Sequence, residues 1–126
     1  MKFLYIGLGG AIGAIVRYFI GNFIQVQSDL EHFPIGILLV NVIGCFLIGF
    51  LNTIFENRLI INEEIRMLIF VGILGGFTTF STFGLDTFHL IKNGMMHFAL
   101  LNVIMSVILG ISAVWFGHFI AKFLVD

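Results

Sequence analysis

Residues 75–83 read Gly-Gly-Phe-Thr-Thr-Phe-Ser-Thr-Phe and lie inside an apolar segment long enough to cross a membrane. Each glycine weakens a helix by about 1 kcal/mol relative to alanine, and Ser and Thr hydroxyls compete for the hydrogen bonds of the backbone. Irregular backbone is tolerated at membrane depth only where it is buried in protein or lines a water-filled cavity. The stretch therefore predicts a membrane helix that is broken near its middle and lines a site for an ion or small solute.

The composition places the rest of the chain in the membrane as well. The 126 residues are 60% hydrophobic and only 10% charged, whereas a soluble domain carries about 25% charged residues. The net charge of -1 gives no electrostatic reason to expect a nucleic-acid partner. We expect one all-α integral membrane domain, residues 1–126, with the lipid bilayer as its solvent. Its four spans are predicted at residues 3–24, 34–55, 65–91 and 97–125.

The distribution of positive charge bears on orientation and assembly. Four helices enclose little space for a pathway, which favours an oligomer, and a two-fold dimer is the commonest kind. An even number of spans puts both termini on one side, and the positive-inside rule favours the cytoplasm for that side. The bias is four cations against two, so insertion in both orientations stays open. The cations are Lys2, Arg58, Arg66 and Lys122 on the side of the termini, and Arg17 and Lys92 on the other.

Two polar side chains stand out in the first two spans. A charge within a span, such as Arg17, is rare and usually functional or paired, although arginine near a helix end also snorkels to the interface. The amide of Asn41 is both donor and acceptor, so it can face an anion or a cation. It can equally bond a neighbouring helix. Asn41 shares one helical face with Cys45, Ile48 and Asn52.

The third span supplies aromatic and hydroxyl groups. Phe80 and Phe83 are three residues apart and so are neighbours on a helix. The ring edges are positive and would attract an anion if they pointed into a pathway, but a phenylalanine pair can also simply face lipid or the core. Ser81 and Thr82 add hydroxyl donors beside the rings. Carbonyl oxygens freed by a break between residues 75 and 78 can coordinate a hard cation.

The fourth span carries small and polar residues, and the ionisable residues of the chain argue against several classes of protein. Asn102 and Ser106 begin a stripe of small and polar residues at helical spacing, which indicates helix packing but can also extend a polar track. The scattered histidines offer no convincing pair of metal ligands, and no catalytic constellation indicates an enzyme. A proton-coupled drug exporter of this size relies on a carboxylate in span one, and residues 3–24 contain none. A third hypothesis is a non-transporting accessory subunit of a membrane complex. Such a subunit would need packing faces but no polar, broken helix.

Three motifs in this order resemble the Fluc/CrcB fluoride channel family. They are the glycine-rich residues 9–18, Val-Asn-x-x-Gly at 40–44, and Gly-x-x-Gly-Gly-Phe-Thr-Thr-Phe-Ser-Thr-Phe at 72–83. The resemblance covers essentially the whole chain. It implies a passive, highly selective channel that exports fluoride across the bacterial plasma membrane. It also implies an antiparallel, dual-topology homodimer with two pores and a structural Na⁺ at its centre. Some members form heterodimers from paralogous chains, so the identity of the partner stays open.

The resemblance also implies roles for individual residues. Those implied to face fluoride carry ring edges or hydrogen-bond donors, and they are Asn41, Phe80, Phe83, Ser81, Thr82 and Ser106. Asn41 would donate its amide N–H to the ion. Arg17 would lie near a vestibule. The backbone carbonyls of Gly75 and Thr78 from each subunit would bind the Na⁺.

Overall fold

The computed structural model describes residues 1–57 and 61–126, and these form helices joined by short turns. Four helical segments are long and apolar enough to cross a membrane: Lys2–Ser28, Ile35–Asn57, Glu63–Lys92 and Met96–Val125. The first two segments are α1 and α2. The third segment contains several helices, α3 to α5, and we call it the third span. The last segment is α6. The predicted all-α membrane fold with four spans is confirmed. Arg58, which contributes to the predicted charge bias, lies outside the described residues.

The third span is not one uniform helix. It consists of α3 (Glu63–Arg66), a π-helical stretch (Met67–Leu74), α4 (Gly75–Phe77) and α5 (Phe80–Lys92). Between α4 and α5, Thr78 has φ -135° and ψ 61°, and Thr79 has φ -82° and ψ 131°. Both residues therefore lie outside the helical region of backbone conformation.

The ends of the third span are set by local sequence. The side chain of Asn62 accepts a hydrogen bond of 2.8 Å from the backbone N–H of Ile65, which is the usual capping arrangement at a helix start. At the other end, Gly94 adopts φ 79° in the turn to α6. Glycine takes that conformation without steric cost, so α5 and α6 are joined by a tight connection.

Close contacts through glycine hold the four spans as two helix pairs. A Cβ on Gly9 would lie 2.9 Å from the Cα of Gly72, and one on Gly76 would lie 2.6 Å from the carbonyl oxygen of Gly10. These contacts pack α1 against the third span, because small residues let the two helices approach closely. On the other side, a Cβ on Gly117 of α6 would lie 2.9 Å from the backbone N of Phe50 in α2.

The outer surface of the four spans is apolar. Large side chains on α1 and α6 are more than half exposed, and they include Phe3, Phe19, Phe23, Trp115, Phe119 and Phe123. A water-soluble monomer rarely exposes apolar surface this extensive. The chain is a multi-pass membrane protein, and these faces meet lipid or another subunit.

Candidate functional site

A cavity of about 310 Å³ lies between α2, the third span and α6. Four of the residues predicted for the site line it together: Asn41, Phe80, Phe83 and Ser106. The other lining residues are small, apolar or hydroxyl-bearing, namely Gly44, Cys45, Ile48, Leu74, Thr78, Thr79 and Val107. No charged side chain of the described residues lines this cavity, which we call the ring cavity.

The non-helical residues between α4 and α5 position the two rings. Because α5 begins at Phe80, its first turn carries both Phe80 and Phe83, with ring centroids 5.4 Å apart and planes inclined at 45°. The Thr78 hydroxyl donates a 2.9 Å hydrogen bond to the carbonyl of Leu74 and so holds the end of α4. The Thr78 methyl occupies the space left by the missing side chain of Gly44.

Asn41 lines the ring cavity and carries an unpaired side-chain oxygen. Its Oδ1 is buried without a hydrogen-bond partner in the described part of the chain. Buried polar groups without a partner are rare in folded proteins, and each costs roughly 1–3 kcal/mol. The side-chain oxygen of Asn41 is therefore not consumed by packing between helices. It is an acceptor, so an anion in the cavity would have to be met by the Nδ2 of the same amide.

The structure does not bring Ser81 and Thr82 into the ring cavity. Ser81 is exposed, and its hydroxyl lies 2.9 Å from that of Thr79. Thr82 lines a second cavity instead. Successive residues of a helix point about 100° apart, so residues between Phe80 and Phe83 in sequence face other directions.

The second cavity has a volume of about 640 Å³ and lies beside the C-terminal half of α1. Arg17, Thr82 and Asp86 all line it. Within the described ranges, Arg17 forms no ion pair, since the salt bridge found there joins Lys2 to Glu63 at 2.9 Å. We call this space the vestibule cavity. The guanidinium of Arg17 shares it with the carboxylates of Glu31 and Asp86.

One glutamine shapes the wall of the vestibule cavity. Gln25 Nε2 donates hydrogen bonds to the carbonyls of Leu30 at 2.6 Å and Phe33 at 2.9 Å. Its Oε1 accepts a 3.0 Å bond from the backbone N–H of Gly36. The side chain thus ties the first loop and the start of α2 to α1.

Gly75 and Thr78 frame the end of the helical run that begins at Glu63. The last carbonyls of a helix lack partners within it and carry partial negative charge, and such oxygens suit a hard cation. Gly75 is exposed at the surface of the subunit. In the part of the chain that the structure describes, no group of three or more His, Cys, Asp or Glu side chains could hold a metal. A cation at this place would depend on backbone oxygens, and the Na⁺ site on Gly75 and Thr78 stays a prediction.

Sequence reasoning did not single out three of the cavity residues. Thr79, Leu74 and Val107 all line the ring cavity. Thr79 belongs to the same hydroxyl run as Thr78, and that run was the available signal. Leu74 sits in a continuous apolar stretch, where nothing in the pattern separates a cavity wall from a lipid-facing residue.

Four apolar spans and, between them, a cavity lined by an amide and two rings, with no charged side chain among the described residues, define a polytopic membrane protein. The chain belongs to the family described as CrcB-like protein, Camphor Resistance (CrcB), whose model matches residues 4–118. The family resemblance seen in the sequence is confirmed.

Curated relatives match over nearly their full length. The chain is 47% identical to the "Fluoride-specific ion channel FluC" of Parabacteroides distasonis over 123 residues, covering 97% of this chain and 94% of that protein. It is 43% identical to the protein of the same name from Solibacter usitatus over 122 residues, covering 97% and 99% respectively. These relatives are named as channels and not as enzymes, in agreement with the prediction that this chain is not an enzyme.

Proposed function

We propose that this chain forms a passive, highly selective fluoride channel that exports the ion across the bacterial plasma membrane and so lowers its cytoplasmic concentration. The observation that carries the proposal is the ring cavity, where Asn41, Phe80, Phe83 and Ser106 meet without a charged neighbour among the described residues. The names of the full-length relatives support the same ion. Fluoride efflux from liposomes that contain only this protein tests it.

The chemistry of the ring cavity suits a small, strongly hydrated anion. Moving a carboxylate-sized ion into a dry medium costs of order 20 kcal/mol, and a smaller ion costs more. The amide of Asn41, the hydroxyl of Ser106 and the ring edges of the two phenylalanines replace hydration with several weak positive partners. A lysine or arginine there would hold the ion too tightly, because conduction requires release as well as entry.

The vestibule cavity supplies the approach to the ring cavity. Arg17 is half-buried there and has no anionic partner among the described residues. It shares the cavity with the carboxylates of Glu31 and Asp86, so any attraction of an anion would come from the guanidinium itself and not from the net charge of the lining. Thr82 on the wall of this cavity would offer a hydroxyl on the approach, whereas Ser81 is exposed and bonds Thr79.

The assembly that we propose is an antiparallel, dual-topology homodimer with two pores. The weak charge bias of the sequence allows insertion in both orientations, and the exposed apolar faces of the subunit leave ample surface for a second copy. A heterodimer with a paralogue is the alternative. Expression of this chain alone separates the two, because only the homodimer then gives flux.

A structural Na⁺ at the centre of that dimer completes the proposal. The carbonyls of Gly75 and Thr78 from both subunits would hold it, and the ion would supply fixed positive charge that offsets the converging carbonyl dipoles. The exposed position of Gly75 and the end of the helical run at Phe77 support this placement.

We expect Asn41→Ala to slow fluoride flux about tenfold or more, the scale of one lost hydrogen bond to a charged group. Efflux per reconstituted dimer measures the effect. Asn52→Ala is the matched control, because Asn52 lies on the same helix, lines neither cavity and, among the described residues, donates to Glu56 at 3.3 Å. An Asn41→Ala rate equal to that of the control would remove Asn41 from the pore.

We expect prolonged removal of Na⁺ to abolish most of the fluoride flux, and its return to restore it. The reason is that converging carbonyl dipoles repel one another without a cation between them. Flux is measured after dialysis into N-methylglucamine buffer, with an equal concentration of Na⁺ as the reference condition. An equal fluoride flux in the N-methylglucamine and Na⁺ buffers would exclude a Na⁺ site on Gly75 and Thr78.

A further inference from the structure

Two successive hydrogen bonds connect α6 to the backbone carbonyl of Phe83, and we call them the relay. Asn102 on α6 is 2% exposed, and its Nδ2 donates a 3.0 Å hydrogen bond to the hydroxyl of Thr87 on α5. Thr87 in turn donates its single hydroxyl proton to the carbonyl of Phe83 at 2.8 Å. A hydroxyl has one donor and two acceptor positions, so the direction of both bonds is fixed from Asn102 to Phe83.

This relay has no substitute in the described part of the chain. No other side-chain hydrogen bond there joins α5 to another span. α5 also lacks the close glycine contacts that hold the other helices, since nothing lies within 4 Å of a Cβ placed on Gly84. Leu90, near the far end of α5, is its only buried residue in the structure.

The same face of α6 reaches both the relay and the ring cavity. Asn102 and Ser106 are four residues apart, so they lie one above the other on α6. Ser106 lines the ring cavity opposite the first turn of α5. The relay therefore fixes where that turn, which carries Phe83, stands relative to Ser106.

We propose that Thr87 and Asn102 are positioning residues that hold Phe83 at the wall of the ring cavity, a role that rests on the proposed channel function. A buried amide in a membrane helix is costly unless it is hydrogen-bonded. Here the amide of Asn102 bonds Thr87 on α5, the helix that carries Phe83. Neither side chain lines the ring cavity, so both act through Phe83 and not on the ion.

Single-channel recording of fluoride current in planar bilayers separates positioning from simple stabilisation. Thr87→Val keeps the shape of the side chain and removes the hydroxyl, Asn102→Leu removes the donor, and Thr87→Ser keeps the hydroxyl. We expect the unitary current to fall about threefold in the first two variants, the scale of one interhelical hydrogen bond in a membrane. Thr87→Ser should stay near the wild type, and the Thr87→Val, Asn102→Leu double variant should be no worse than either single variant.

Thr53→Val is the matched control. Thr53 is also 2% exposed, donates to the carbonyl of Gly49 at 2.9 Å, and bonds Nδ1 of His118 on α6 at 2.7 Å. It lines neither cavity, so its loss should leave the unitary current unchanged. Wild-type unitary current in Thr87→Val or Asn102→Leu, even with fewer active channels, would overturn the positioning role. So would a Thr87→Ser current as low as that of Thr87→Val.

A second readout does not depend on transport. Para-fluorophenylalanine placed at position 83 reports the surroundings of the ring by fluorine NMR. Its resonance should move or broaden in Asn102→Leu and in Thr87→Val and stay in place in Thr53→Val. An unmoved resonance would overturn the relay, whereas a wild-type protein without fluoride current would contradict the proposed function alone.

Discussion

Replacing Phe83 or Phe80 with isoleucine is expected to abolish fluoride flux while the dimer still assembles. Both rings line the ring cavity, with centroids 5.4 Å apart. Isoleucine is apolar and of moderately smaller volume, so little stability is lost, but it has no positive edge to face an anion. Phe80 is 80% exposed in the subunit, so its loss does not open the core.

Efflux from liposomes and chromatography of the purified dimer measure the two parts of this expectation separately. Phe123→Ile serves as the control, because Phe123 is 78% exposed, lies in the last turn of α6 and lines neither cavity. Its flux should match the wild type. Wild-type flux in both Phe80→Ile and Phe83→Ile would contradict the proposal that the ring edges of these residues face fluoride.

Adding a single methyl group at Gly44 should have the second large effect. The Cβ of an alanine there would overlap the Thr78 methyl group, so Gly44→Ala forces the non-helical residues of the third span out of place. Overpacking of this kind costs about 1–3 kcal/mol. We expect Gly44→Ala to lower thermal stability in detergent and to remove most of the flux.

A second substitution should reverse that loss. Thr78→Ser deletes the methyl that Gly44→Ala meets and keeps the hydroxyl that bonds the carbonyl of Leu74. The double variant should therefore recover both stability and flux. Gly84→Ala is the control, because a Cβ there meets nothing within 4 Å and alanine favours the helix. Failure of Thr78→Ser to rescue Gly44→Ala would contradict the contact between residues 44 and 78.

Hydropathy was sufficient to predict the four spans, because a run of about 20 apolar residues matches the length of a helix that crosses the bilayer. Helical spacing also grouped Asn41 with Cys45, Ile48 and Asn52, and the first three share the ring cavity whereas Asn52 does not line it. The π-helical stretch Met67–Leu74 could not be predicted. Its residues are apolar on every side, so the sequence contains no period that distinguishes one helix type from another.

The phase of α5 explains why the site was predicted only in part. Which residues face the ring cavity depends on the conformations of Thr78 and Thr79, and a small change there rotates the whole helix. The rings meet Asn41 and Ser106, while Ser81 and Thr82 face elsewhere. The partner of Asn102 was equally hidden, because Thr87 reaches it only once α5 and α6 pack together.

The most direct test of the account is fluoride efflux from potassium-loaded liposomes that contain only this purified protein. We expect rapid fluoride efflux that requires valinomycin to carry the compensating potassium, and no chloride efflux under the same conditions. Fluoride efflux without valinomycin, chloride efflux at a comparable rate, or no efflux even after co-expression with a paralogue would contradict it.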